Sequence, residues 1–286
     1  MALNFKTLLT RTLTAAVFVA ILLSAILWNY YSFTALFFVV SLWGLYEFYK
    51  ISQLLGAKPY KGVGYLTAAV LYLSAFVEGM GFGSHSLFIN LSICLSFLIL
   101  LNALFSNEPK PIENAAYTIL GILYCVFPFY ILNRLMCFPI GQQGFNSSGP
   151  SYCNHHIILG IILLIWASDT LAYLVGSMLG KHKLYERISP GKTWEGTIGG
   201  GILTLALSYI VWGWFPELRF IHWLAIAGIV VVFGTLGDLF ESLLKRQAGI
   251  KDSGKIMPGH GGILDRFDSL MFVSPFAYLY LNWMLG

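Results

Sequence analysis

The chain has 286 residues, of which 57% are apolar and only 10% charged, with a formal net charge of +4. A soluble domain carries about a quarter charged residues, so this composition excludes a soluble globule and points to a polytopic, all-α membrane protein. The small net charge and the lack of long basic runs exclude a nucleic-acid partner.

A bilayer-spanning helix needs roughly 17–25 mainly apolar residues. Runs of that kind predict nine helices, near residues 12–28, 33–49, 63–78, 86–105, 115–132, 157–179, 197–215, 223–244 and 269–285. Lys6 and Arg11 precede the first run as they would in a signal peptide, but no small-x-small cleavage site ends it, so it reads as a retained helix. With the N-terminus inside, 15 of the 17 Lys and Arg residues fall in inner connections, leaving Arg134 and Arg219 outside. The positive-inside rule then predicts a cytoplasmic N-terminus and an external C-terminus. Residues 1–132 form an N-terminal region of five helices and 133–286 a C-terminal catalytic region of four, within one continuous membrane domain. Cys94 and Cys125 fall in spans as packing residues. Cys137 and Cys153 share the outer connection and could be joined by a disulfide in an oxidising compartment.

Nine of the 13 acidic residues lie between Asp169 and Asp268, which places the chemistry in the C-terminal part of the chain. Asp169 falls inside the sixth span, where a charge is costly and calls for a function or a helix-bridging hydrogen bond. At 100° per residue, Asp238, Glu241, Ser242 and Lys245 share one face at the end of the eighth span. A solvated helix end accounts for Glu241 and Lys245 as an ion pair but not for Asp238, one turn deeper. The connection that follows carries Lys251, Lys255 and the run Pro258-Gly259-His260-Gly261-Gly262, whose glycines let main-chain N–H groups approach an anion. Asp265 and Asp268 then open the ninth helix on one side, as a helix cap or as oxygen ligands for a hard cation. The other inner segment holds Gly191-Lys192-Thr193. It lacks the earlier glycine and the preceding strand of a P-loop, yet a lysine and hydroxyls at a helix start can hold phosphate.

Carboxylates of magnesium type, cations of phosphate type and a glycine-rich turn, all on the inner side, suit phosphoryl or nucleotidyl transfer. The stretch Ser242-x-x-Lys245-Arg246, Lys251-Asp252, Pro258-x-His260-Gly261-Gly262 and Asp265-Arg266-x-Asp268 resembles the signature of the phosphatidate cytidylyltransferase (CDP-diacylglycerol synthase) family. Ser189-Pro190-x-Lys192-Thr193-x-Glu195-Gly196 is similar to a second segment of that family. Met257 stands where the family usually has Leu, Ile or Phe, and the first five spans match it only in hydrophobicity.

The resemblance implies transfer of a cytidylyl group from CTP to phosphatidic acid, with CDP-diacylglycerol and pyrophosphate as products. It also implies magnesium, with a second cation as an option, a homodimer among membrane lipid, and a site facing the cytoplasm of a bacterial inner membrane. It makes Asp238 and Asp265 the leading metal ligands, with Glu241 and Asp268 as further ones. The expected catalytic residues are Asp238, Asp265, Lys251 and Asp268. Lys192, Thr193, Ser242, Lys245, Arg246, His260, Gly261, Gly262 and Arg266 are expected to bind substrate. The rival readings are a CTP-dependent lipid-alcohol kinase, a cation-coupled transporter using Asp169 and Asp238, and an inactive scaffold.

Overall fold

The computed structural model describes residues 5–80, 85–138, 154–257, 259 and 261–285. Among them stand nine helical rods at the nine expected places: α1 (Phe5–Trp28), α2 (Tyr30–Leu54), α3 (Lys61–Gly79), α4 (His85–Leu104), α5 (Pro111–Met136), α6 (His155–Leu179), α7 (Trp194–Trp214), α8 (Phe220–Gln247) and α9 (Leu264–Leu285). Seven are long and apolar enough to cross a membrane. The other two are α1, whose apolar part is the shorter Thr12–Trp28, and α9, whose first five residues include Asp265, Arg266 and Asp268. The chain is thus a polytopic all-α membrane protein. Cys153 lies outside the described residues, and with it any disulfide to Cys137.

A short antiparallel hairpin of β1 (Lys183–Tyr185) and β2 (Ser189–Thr193) departs from the expected connection. The Ser-Pro-Gly-Lys-Thr segment, read from sequence as an inner segment leading into a helix start, is itself a strand. Its pairing partner is too short to be marked by any alternation.

Local chemistry sets the helix ends. Asn29 alone separates α1 from α2: its side chain accepts the Ser32 N–H at 2.8 Å, and Ser32 Oγ accepts the Asn29 N–H at 3.2 Å, a reciprocal capping box. Thr193 caps α7 by accepting the Gly196 N–H at 3.2 Å. Lys245 and Arg246 occupy the last turn of α8, where cations meet the negative helix end. The π turns Ile122–Val126 and Val230–Gly234 interrupt α5 and α8 and re-aim the residues after them.

One buried apolar cluster runs from Leu22 in α1 to Leu281 in α9. Phe267 ties the start of α9 to the N-terminal helices, its ring lying 5.7 Å from Phe18, 5.9 Å from Phe37 and 5.7 Å from Phe129. A buried polar network crosses α2, α3 and α5. Tyr30 donates to Asn133 at 2.7 Å, Asn133 to Thr34 Oγ1 at 2.9 Å, and Tyr72 to the Thr34 carbonyl at 3.0 Å. In lipid, where packing between apolar faces has little hydrophobic driving force, such bonds help choose helix partners.

Small residues let helices touch at backbone distance. A Cβ at Gly200 of α7 would meet the backbone of Ala172 in α6, and one at Gly237 of α8 would meet the Asp268 carbonyl of α9. The second approach brings the acidic stretches of α8 and α9 side by side. Gly200→Val is expected to lower stability by about 1–3 kcal/mol, read as a lower midpoint of thermal unfolding in detergent.

Candidate active site

The polar residues collect at one end of the bundle, where α2, α6 and α8 finish and α9 begins. There a cavity of about 800 Å3 is lined by Asp238, Glu241, Lys245, Lys251, Asp265 and Asp268, among others. Two smaller cavities adjoin it. One of about 260 Å3 is walled by Phe18, Leu22, Ile162 and Trp166 and reaches Asp265, Arg266 and Asp268. The other, of about 530 Å3, lies between α6 and β2 and includes Ser189, Lys192, Thr193 and Asp238. Asp169, in the middle of α6, borders all three.

Three of the four expected metal ligands converge. Asp238 and Glu241 from α8 and Asp268 from α9 each offer an oxygen, and these atoms lie within 4.8 Å of one another. Asp238 accepts from Ser242 Oγ at 3.2 Å through Oδ1 and pairs with Lys192 Nζ at 2.6 Å through Oδ2. Glu241 is 1% exposed. Lys245 Nζ is 2.5 Å from its Oε2, while Oε1 has no hydrogen-bond partner among the described residues.

Asp265 is not one of that trio and shares the Lys245 ammonium with Glu241. Its Oδ1 takes the Lys245 ammonium at 2.6 Å. Its Oδ2 accepts the Ser253 N–H at 2.8 Å and the Gly262 N–H at 2.7 Å, and lies 2.9 Å from the Ser253 hydroxyl, whose one proton it shares with Glu47. Both of its oxygens are engaged within the protein, and it organises the connection while lining the same cavity as the trio.

The remaining expected residues divide in the same way. Lys251 is exposed and lines the large cavity. Arg246 lines it too, and reaches the Ile188 carbonyl at 3.4 Å, holding the hairpin close to α8. Arg266 borders both the charged and the apolar cavity. The Thr193 side chain serves as the α7 cap. Gly261 has φ +83°, a conformation that suits glycine. The Gly262 N–H points to Asp265 rather than outward to an anion. His260 lies outside the described residues.

The sequence reading passed over Glu47. This α2 residue is 2% exposed and accepts hydrogen bonds from Ser253 Oγ, the Ile263 N–H and the Leu264 N–H. The available signal was a single carboxylate inside the second apolar run, the pattern that marks intramembrane ionisable residues for attention.

The trio suits a hard divalent cation: three carboxylate oxygens converge, and the buried Glu241 Oε1 is left without a donor. Lysines around the same cavity suit phosphate. Fold and site together define a polytopic membrane protein with a polar, cation- and phosphate-type centre at one end of its bundle. The chain matches the model of the cytidylyltransferase family over residues 9–284 and belongs to that family. The match includes the first five spans, beyond the motifs legible by eye. It is 33% identical to a phosphatidate cytidylyltransferase of Staphylococcus haemolyticus over 276 residues, 96% of this chain and 99% of that protein. It is 34% identical to one of Staphylococcus epidermidis over 95% of this chain and 98% of that protein. One of Staphylococcus aureus is 40% identical over 66% of this chain and 67% of its own length. The protein is accordingly a nucleotidyltransferase of the membrane.

Lys245→Met leaves the Glu241 and Asp265 carboxylates without the ammonium between them. Breaking a buried pair in this way typically costs about 3–5 kcal/mol, so the variant is expected to unfold at lower temperature and lower denaturant than the parent protein in the same detergent.

Proposed function

We propose that the chain transfers the cytidylyl group of CTP to phosphatidic acid, forming CDP-diacylglycerol and pyrophosphate. The observation that carries this reading is the junction of the charged cavity of about 800 Å3 with the apolar cavity of about 260 Å3 at Asp265, Arg266 and Asp268. A polyanionic nucleotide suits the first. A lipid phosphate suits the boundary, with apolar chain against Phe18, Leu22, Ile162 and Trp166.

A phosphatidate oxygen is anionic at neutral pH, so it needs no strong general base. It attacks the α-phosphorus of CTP; a new P–O bond forms there, the bond to the bridging oxygen of the β-phosphate breaks, and pyrophosphate leaves with that electron pair. The main obstacle is repulsion among phosphates, so positioning and charge neutralisation provide most of the catalysis. Lys251 and Arg246 face the large cavity and Arg266 its junction with the apolar one, a distribution suited to holding both substrates. Lys192 reaches the same centre from the hairpin through Asp238. Asp238, Glu241 and Asp268 would hold magnesium, which when bound supplies Lewis-acid polarisation of phosphate oxygens. Asp265 acts through Lys245 and the connection it organises.

The concentration of Lys and Arg in the connections at this end supports a cytoplasmic site, where CTP is available. A cysteine at position 255, in a background lacking the native cysteines, is expected to react with impermeant reagent only from the cytoplasmic side; labelling from outside would reverse the orientation.

The activity is tested with purified protein in mixed micelles containing phosphatidic acid, radiolabelled CTP and magnesium, with EDTA as control. The expected product is a labelled liponucleotide with stoichiometric pyrophosphate, lost with EDTA. CDP released only in the presence of a lipid alcohol would identify a kinase instead. Asp268→Asn is expected to lower kcat/KM by about 100-fold or more while leaving expression unchanged; near-normal turnover would remove Asp268 from the metal set.

A further inference from the structure

We propose that Glu47 is a positioning residue of the active site: from α2 it holds the 251–264 connection in the form that presents its cations to the triphosphate of CTP. The inference rests on the cytidylyltransferase reading and extends the site into the N-terminal half of the chain.

Glu47 is 2% exposed and makes no ion pair among the described residues. A carboxylate buried in an apolar bundle without a cation is costly unless hydrogen bonds compensate it. All of the donors come from the connection and the start of α9. The Ile263 N–H donates to Oε1 at 3.1 Å, while the Leu264 N–H at 3.0 Å and the Ser253 hydroxyl at 2.9 Å reach Oε2. Free N–H groups at a helix start are usually capped by a neighbouring side chain. Here the acceptor comes from 216 and 217 residues away, tying two parts of the bundle together.

Two glycines of the connection support the same point. Neither Gly254 nor Gly262 has a positive φ, so backbone conformation does not require glycine at either position. A Cβ at either would instead run into the Glu47 carboxylate. Glycine here is a space requirement set by a residue of another helix. Ser253 Oγ also lies 2.9 Å from Asp265 Oδ2, and Asp265 takes Lys245. Glu47, Ser253, Asp265, Lys245 and Glu241 thus form one line of contacts from α2 to the acidic trio. On the outer side of that line, Lys251 and Lys255 face the large cavity.

Glu47→Gln keeps the size of the side chain but turns an amide NH2 toward the N–H donors. In micelles of the full chain, KM for CTP is expected to rise about tenfold, as for loss of an outer-shell partner, while KM for phosphatidic acid stays unchanged. Glu47→Asp should restore part of the CTP affinity. Gly254→Ala should reproduce the effect and be non-additive with Glu47→Gln. Hydrogen exchange at the Ile263 and Leu264 amides should be faster in Glu47→Gln. That measurement needs no substrate, so it separates failure of the Glu47 tie from failure of the enzymatic reading. Unchanged exchange, an unchanged KM for CTP, or an equal rise in both KM values with a matching fall in thermal midpoint would overturn the proposal. If Glu47→Gln does not accumulate in membranes, Ser253→Ala, which removes one of the three bonds, is measured in the same assays with the same criteria.

Discussion

Lys245 carries its ammonium between two buried carboxylates, 2.5 Å from Glu241 Oε2 and 2.6 Å from Asp265 Oδ1, and the arrangement of the polar end depends on this contact. Charges removed from water inside an apolar bundle must satisfy one another. Ser253, Gly262 and Ile263 of the connection therefore turn their N–H groups inward. The Ser253 and Gly262 N–H groups serve Asp265, and the Ile263 and Leu264 N–H groups serve Glu47. The same requirement explains why helices from both halves of the chain meet here.

Close backbone contact between α8 and α9 at Gly237 places the acidic trio where a cation can be held. Lys192, arriving on a hairpin, supplies positive charge to Asp238 from the other side. Lys192 and Lys245 thus balance two of the trio's three carboxylates from within the protein. Asp268 forms no ion pair among the described residues, so the centre keeps negative charge that suits a cation.

The three cavities that meet at Asp169 differ in character, and the difference follows from the helices that wall them. The α1 wall contributes only Thr14, Ala15, Phe18, Val19 and Leu22, whereas the connection before α9 contributes lysines, glycines and Asp252. An amphiphile can lie along the boundary between them while a water-soluble anion occupies the charged side. A shared edge between an apolar and a charged cavity is a natural geometry for joining a lipid to a nucleotide.

Composition and run length alone settled the membrane class and the positions of the nine helices, because burial in lipid demands apolar residues over a fixed length. Helical periodicity likewise put Asp238, Glu241, Ser242 and Lys245 on one face, since that relation is local. The resemblance of the motif to a family was carried by residues close together in the chain. What the tertiary structure decided was which of these groups meet. Asp268 joins Asp238 and Glu241 through a contact between two helices, while Asp265, three residues away, turns to Lys245 and the connection. Gly262, the last residue of the glycine-rich run, directs its N–H to Asp265 rather than outward, and Glu47 enters from a helix more than 200 residues earlier. Such pairings depend on distances across the bundle, and those are set by packing that no local pattern records.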